Sequence, residues 1–273
     1  MRRLSLHVYA GLLVMVTFNL LPFYWMITSS LKNNMEVTSF PATLWPQQLT
    51  GEAYAEIWLN AGFPTYFVNS LIVSVSTAVL SVGFGTLAAY GFSRFRFRGR
   101  LVLMSIFLAS QMIPGVLLIV PYFKLLTIIG LFDTRIGLIL ALTTITLPFS
   151  VWMLKGYMDS VPIEIDQAAM IDGASRLQCM RLVILPNILP GVVATTTFAF
   201  LLSWGDVLWA LCLISDEAKL TITLGITRLI GQFRVVWSQT MAAIVIASVV
   251  PAVLYLLMQR YLIQGAVGSS MKE

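Results

Sequence analysis

The residues able to do chemistry in this chain collect in two places. A polar segment holds Glu164, Asp166 and Asp172 around Gln167, and farther on Asp206 stands between Trp204 and Trp209. Carboxylates act as general acids, bases or metal ligands when a histidine, a thiol or a second carboxylate converges on them. His7 is the single histidine and stands near the amino terminus, and no nucleophile pairs with a base at a recognisable spacing. Gly-x-x-x-x-Gly-Lys-Ser/Thr does not occur, so no P-loop can cradle ATP phosphates. Gly83-x-Gly85 lies inside an apolar run and reads as packing. The chain is therefore expected to be no enzyme, with no metal site and no cofactor of its own. Asp206 and its tryptophans offer a surface instead. Aromatic faces beside a carboxylate suit sugar rings and hydroxyls, although an interfacial aromatic belt is the plainer reading.

The elements that position these residues follow from composition. Of the residues 58% are hydrophobic and only 11% charged, with a mean hydropathy of +0.87. A soluble domain needs roughly a quarter of its residues charged to cover its surface. Lipid must replace water over much of this exterior. The net charge of +5 raises nucleic acid as a partner. The basic residues, however, sit in short clusters between apolar runs, which is the pattern of a membrane protein. Cys179 and Cys212 fall at opposite ends of one predicted span, which argues against a disulfide and for small packing residues.

A helix needs about 20 mostly apolar residues to cross the hydrocarbon core. Six segments qualify, at about 9–30, 67–92, 101–123, 136–156, 183–208 and 239–263, with charges only at their edges. The first is too long for a signal-peptide core and lacks a clean cleavage site, so it reads as a retained span. Gly83, Pro114, Pro121, Pro148, Pro190 and Pro251 fall inside spans, where neighbouring helices must re-satisfy the freed backbone. Ser70, Ser74, Thr77, Ser81, Gly85 and Ala89 recur at helical spacing in the second span and predict close packing inside a bundle, or else against a second membrane subunit.

Orientation follows from lysine and arginine. With a cytoplasmic amino terminus, the inner side holds Arg2, Arg3, Arg94, Arg96, Arg98, Arg100, Lys155, Arg176, Arg181, Arg260 and Lys272. The outer side holds Lys32, Lys124, Arg135, Lys219, Arg228 and Arg234, so eleven of the 17 basic residues face inward. The run Ser93-Arg94-Phe95-Arg96-Phe97-Arg98-Gly99-Arg100 is short and basic and resists translocation. Both termini are expected in the cytoplasm.

The connection between the fourth and fifth spans, about 155–181, is too long for a turn and too polar for a span. Ser160 is placed to cap a short helix, Pro162 fits its first turn, and Glu164 and Asp166 complement its positive end. Gly173 supplies a left-handed residue to end it, and a second helix is expected from near Ser175. From composition alone this would be an amphipathic helix lying on the membrane surface.

The spacing points elsewhere. Gln167-Ala168-Ala169, three residues, Gly173, nine residues, then Val183-x-Leu185-Pro186 resembles the EAA loop of bacterial ABC importer permeases. Gln167 stands where that motif has glutamate, so a charge contact there is lost or moved to Glu164 or Asp166. Asn69-Ser70, Met112-Ile113-Pro114, Gly130-Leu131-Phe132-Asp133-Thr134, Leu147-Pro148-Phe149, Asp172-Gly173-Ala174-Ser175, Ser203-Trp204-Gly205-Asp206 and Gln259-Arg260-Tyr261 resemble the carbohydrate branch. Gly205 departs from the usual asparagine, and the tail Gly265-Ala266-Val267-Gly268 departs in its ending. The resemblance covers nearly the whole chain and is closest to the maltose-type second permease subunit.

The resemblance implies an all-α integral membrane protein of the type I importer fold, with six transmembrane helices and a cytoplasmic coupling helix. It implies residues 1–65 as first helix and outer loop, 66–263 as permease core and 264–273 as cytoplasmic tail, in a bacterial inner membrane. The implied partners are a second permease subunit, two ATPase subunits that bind ATP and Mg, and an extracytoplasmic substrate-binding protein. Coupling would fall to Pro162, Glu164, Asp166, Gln167, Ala168, Ala169, Asp172 and Gly173, and a sugar path would pass Trp204, Asp206 and Asn69. The outer segments, about 31–66 and 209–238, are long enough to meet a binding protein, although the first could rest on the membrane interface. No arginine lies deep in a span, which favours a neutral sugar or polyol over glycerol phosphate; a peptide cargo stays open. The rival ion-coupled transporter would show internal repeats and midplane charges, and neither is evident.

Overall fold

The computed structural model describes residues 6–231 and 235–270, so Arg2, Arg3, Arg234 and Lys272 of the charge count lie outside the described residues. In chain order the main helices are α1 (Leu6–Ser30), α2 (Phe63–Arg94), α3 (Arg100–Ser110), α4 (Gly115–Ile128), α5 (Arg135–Asp159), α6 (Ile163–Ile171), α7 (Arg176–Asn187), α8 (Leu189–Trp204), α9 (Leu208–Leu213), α10 (Ile222–Leu229) and α11 (Trp237–Ser270). Short helical pieces lie at Asn34–Val37, Glu52–Leu59 and Glu217–Lys219. Contacts divide the fold into two units. One is drawn from the described residues up to Phe67 with Leu224–Val250, the other from Val68–Thr223 with the described residues from Pro251 onward.

α1, α2, α5 and α11 are each long and apolar enough to cross a membrane. Two further spans are bent pairs, α3 with α4 at 98° and α7 with α8 at 83°; counting each as one gives the expected six. The spans expected at 101–123 and 183–208 are thus each present as a sharply bent pair of helices. Pro114 is the N-cap of α4, and Pro190 sits in the first turn of α8 behind Ile188 at φ −100°, ψ 16°. A proline nitrogen has no hydrogen to donate to the preceding turn, so the ladder stops there. Pro22, Pro121, Pro148 and Pro251 lie inside unbroken helices. α7 also carries a π-helical stretch, Cys179–Ile184.

The small-residue stripe of α2 is buried from Ser70 to Ala89. The Ser81 and Thr146 hydroxyls bond at 2.5 Å, and a Cβ on Gly85 would come within 3.2 Å of the Ser150 Cβ. Side chains this small let α2 and α5 approach at backbone distance. Most other buried hydroxyls of the bundle bond within their own helix. In α5, Thr143 donates to the Ile139 carbonyl, Thr146 to Leu142 and Ser150 to Thr146. In α8, Thr195 donates to Gly191, Thr197 to Val193 and Ser203 to Ala199.

One end of this unit is closed by an apolar cluster. Ala89 and Tyr90 of α2 meet Leu154 and Met158 of α5, Val161, and Met180 and Ile184 of α7, with Ile188 beyond. α6 is held against this cluster. Cys179 is fully buried and, like Cys212, is a free thiol.

Candidate functional site

The polar connection folds much as its local signals predict. The N–H of Ala174 reaches the Ala169 carbonyl at 3.0 Å and that of Gly173 reaches Met170 at 3.1 Å, with Gly173 at φ +90°. This is the Schellman ending, in which a left-handed residue satisfies the orphan carbonyls of a helix. Ser175 then caps α7 through a reciprocal capping box with Gln178. One expectation fails. Ser160 does not cap α6; it closes α5, and its hydroxyl donates to the Tyr157 carbonyl at 2.7 Å. The N-cap of α6 is Pro162, at φ −56°, ψ 138°, without a side-chain cap. Two residues separate α5 from the cap, which is too short a link for Ser160 to reach forward.

Exposure sorts the predicted coupling residues. Pro162, Glu164, Gln167, Ala168, Asp172 and Gly173 are exposed, and Ala169 is half-buried. Beside them the apolar side chains of Ile163, Ile165, Met170 and Ile171 are also exposed, Ile171 by 87%. Exposed apolar groups beside acids make a surface suited to a partner. Asp166 stands apart. It is 2% exposed and paired with Arg94, so it cannot supply the charge that Gln167 lacks. Glu164 is left as the exposed acid of the first turn. Sequence reasoning read Arg94 only as one of four basic residues, and 72 positions of separation gave no signal of this pairing.

Trp204, Asp206 and Asn69 turn inward. Trp204 is 4% exposed and stacked on Phe200 at 5.7 Å, and Trp209 is 6% exposed and edge-on to Tyr122 at 5.1 Å. Neither ring offers a face to an interfacial belt or to a sugar here. The Asp206 carboxylate accepts the N–H groups of Trp209 at 3.3 Å and Ala210 at 2.9 Å, in the first turn of α9. Asn69 gives its amide hydrogens to the carbonyls of Ala218 and Leu220, and Ser70 accepts the Ile222 N–H. Asn69 and Ser70 thus tie the 218–222 segment to the head of α2.

Segment 213–220 forms a charge cluster with Asp133. Asp133 accepts the N–H groups of Ser215 and Asp216, and Lys219 bridges Asp133 at 3.2 Å and Asp216 at 3.0 Å. The Asp216 N–H, then that of Ser215 and the Lys219 ammonium, hold the Asp133 carboxyl below its ordinary range; bonding to Asp216 holds Lys219 above its own. A depressed carboxylate lends stability above its unfolded pKa and loses it as pH falls through the folded value. The raised lysine lends stability below its unfolded pKa and loses it as pH climbs through the folded one. The segment should therefore stay closed across neutrality. Protection of the amides at 213–220 from hydrogen exchange, corrected for the intrinsic pH dependence of exchange, is expected to fall below about pH 4, and Asp133→Asn should lower it already at pH 7 and flatten that acid limb.

In the other unit, segment 31–66 buries Lys32 and Glu36 and leaves Glu52 and Glu56 exposed. Lys32 is 1% exposed, donates to the Thr43 carbonyl and lies 4.8 Å above the Trp25 ring. Glu36 accepts the Thr43 hydroxyl and the Gln47 N–H. Phe40, Leu44, Trp45 and Leu49 are exposed.

Comparison with known proteins matches residues 81–267 to the family described as binding-protein-dependent transport system inner membrane component. The chain is 37% identical over 266 residues to the inner membrane ABC transporter permease protein YcjP of Escherichia coli (strain K12), covering 97% of this chain and 95% of that one. It is 34% identical to the diacetylchitobiose uptake system permease protein NgcG of Streptomyces coelicolor, over 95% and 86% of the two chains. It is 31% identical to the trehalose/maltose transport system permease protein MalG of Thermococcus litoralis, over 96% and 95%. In fold it resembles a chain from the crystal structure of a bacterial ABC transporter that imports the acidic polysaccharide alginate, with a TM-score of 0.83 at 22% identity, over 96% of this chain and all of that one.

Proposed function

We infer the role of this chain from its family: it belongs to the binding-protein-dependent transport system inner membrane components and is a membrane-spanning permease subunit of a sugar ABC importer. It is a multi-pass inner-membrane transport component working with ATPase subunits and a substrate-binding protein. The finer reading is our proposal. The chain pairs with a second, different permease subunit to enclose the path, both termini face the cytoplasm, and ATP and Mg are bound by two ATPase partners. The cargo is a neutral sugar of disaccharide size, as the names of the trehalose/maltose and diacetylchitobiose relatives suggest. Asn69 and Asp206 serve the path indirectly by holding its outer loop.

The observation that carries the reading is α6. It is a nine-residue helix of about two and a half turns, exposed at Glu164, Gln167 and its isoleucines while Asp166 is buried, ended by Gly173 and joined within a few residues to α5 and α7. Seated in a groove on an ATPase, it converts closure of that ATPase into tilting of two spans, a hinge or shear motion of packed helices. Replacing residues 162–173 with a flexible linker of equal length should abolish co-purification of the ATPase while membrane insertion persists. Uptake of trehalose, maltose or diacetylchitobiose into proteoliposomes should require ATP and survive a protonophore. Uptake that ignored ATP and collapsed with the proton gradient would overturn the reading in favour of an ion-coupled transporter.

A further inference from the structure

The arginines after α2 are not equivalent. Arg96 and Arg98 are exposed, whereas the Arg94 side chain keeps 6% of its surface and that of Asp166 keeps 3%. Arg94 Nε meets Asp166 Oδ2 at 2.5 Å, and its Nη2 donates to the Val161 carbonyl at 3.0 Å. Its Nη1 donates to Ser93 Oγ at 3.1 Å, and Ser93 in turn donates to Asp159 Oδ1 at 2.6 Å. The last turn of α2 is thus bonded to the end of α5, to the linker and to the first turn of α6. A second contact lies alongside, where the Arg176 guanidinium at the start of α7 covers the Phe95 ring at 4.9 Å.

Burying two charges costs several kcal/mol per ion, and well-packed apolar residues would hold such a place at least as firmly. What a guanidinium with three fixed bonds adds is direction. We propose that the Arg94–Asp166 pair is a mechanical joint that makes α6, the start of α7 and the end of α2 one rigid body. Force delivered to the coupling helix then reaches α2 directly, and not only the two spans to which α6 is covalently joined. The inference rests on the docking reading above. Arg94 and Asp166 are positioning residues, turned away from the exposed surface of α6.

The test reads rigidity and needs no knowledge of the cargo. Spin labels at Leu87 on α2 and Leu177 on α7, both exposed, are placed in a Cys179→Ala, Cys212→Ala background in the full transporter with its ATPases in nanodiscs. Trapping with ATP and vanadate is expected to leave their separation constant within about 2 Å, the scale of sliding between packed helices. Arg94→Gln and Asp166→Asn should each let the separation shift or broaden beyond that, Arg94→Lys should do so less, and the reversed pair Arg94→Asp with Asp166→Arg should restore constancy. The ATPase should co-purify with all of them. The joint is overturned if the parental separation changes on trapping, if the single variants hold it constant, or if they lose the ATPase. A parental chain that captures no ATPase would instead overturn the docking reading itself.

Discussion

Gly173→Asp is expected to stop transport while the chain still inserts into the membrane and keeps its six spans. Gly173 ends α6 at φ +90°, and a Cβ there would meet nothing within 4 Å among the described residues. Crowding within the subunit is therefore not the cause; the backbone is. A left-handed conformation costs a residue with a Cβ roughly 1–2 kcal/mol, a factor of about 5–30 in the population of the correctly ended helix. Aspartate tolerates that conformation better than alanine does, but adds a negative charge at the negative end of the helix dipole, next to Asp172. The series separates the contributions. If backbone conformation dominates, Gly173→Asn outperforms Gly173→Ala, because asparagine visits the left-handed region more readily. If an ATPase wall lies against Gly173, the smaller alanine performs better. ATP hydrolysed per sugar delivered is the quantity to measure, and normal coupling in Gly173→Asp would remove α6 as the docking element.

Gly191→Ala should produce a large loss of stability. A Cβ on Gly191 would clash with the Cγ and Cδ2 atoms of the Tyr157 ring, at the crossing of α8 over α5, just past the bend at Ile188. Tyr157 packs against the cluster that holds α6, so it has little freedom to withdraw. Overfilling a packed core costs about 1–3 kcal/mol, and the contact here is with a rigid ring, which places the loss at the upper end. Thermal unfolding of the purified transporter should shift downward accordingly. Combining Gly191→Ala with Tyr157→Ala should recover more than the sum of the two single effects predicts, because each relieves the other. Additive losses would show that the two residues are not in conflict.

Much of this was legible in the sequence where the cause is local. The spans could be read because lipid demands long apolar runs, and the end of α6 could be read because a glycine followed by Ala174-Ser175 dictates a turn and a cap. The bends could not. Proline occurs in most spans, yet Pro114 and Pro190 break helices while Pro148 and Pro251 ride inside them. The presence of a proline alone does not tell the two outcomes apart. Ser160 misled because a serine before a helix and a serine after one look alike until the length of the link is known. Asp166 misled for the opposite reason: its acidity suggested an outward contact, while its partner Arg94 lay on a distant helix. Trp204 and Asp206 suggested a sugar platform by composition, and packing used both for other ends.

The buried hydroxyls of α5 and α8 bear on how the bundle moves. Each of those six donates its hydrogen to a carbonyl four residues back on its own helix. Such a bond travels with the helix that owns it, so neighbours can slip past without any polar partner being given up in a medium that offers no water as replacement. A slide of α5 against α8 would thus break none of these six bonds. Sliding between α2 and α5, by contrast, would have to release the Ser81–Thr146 bond.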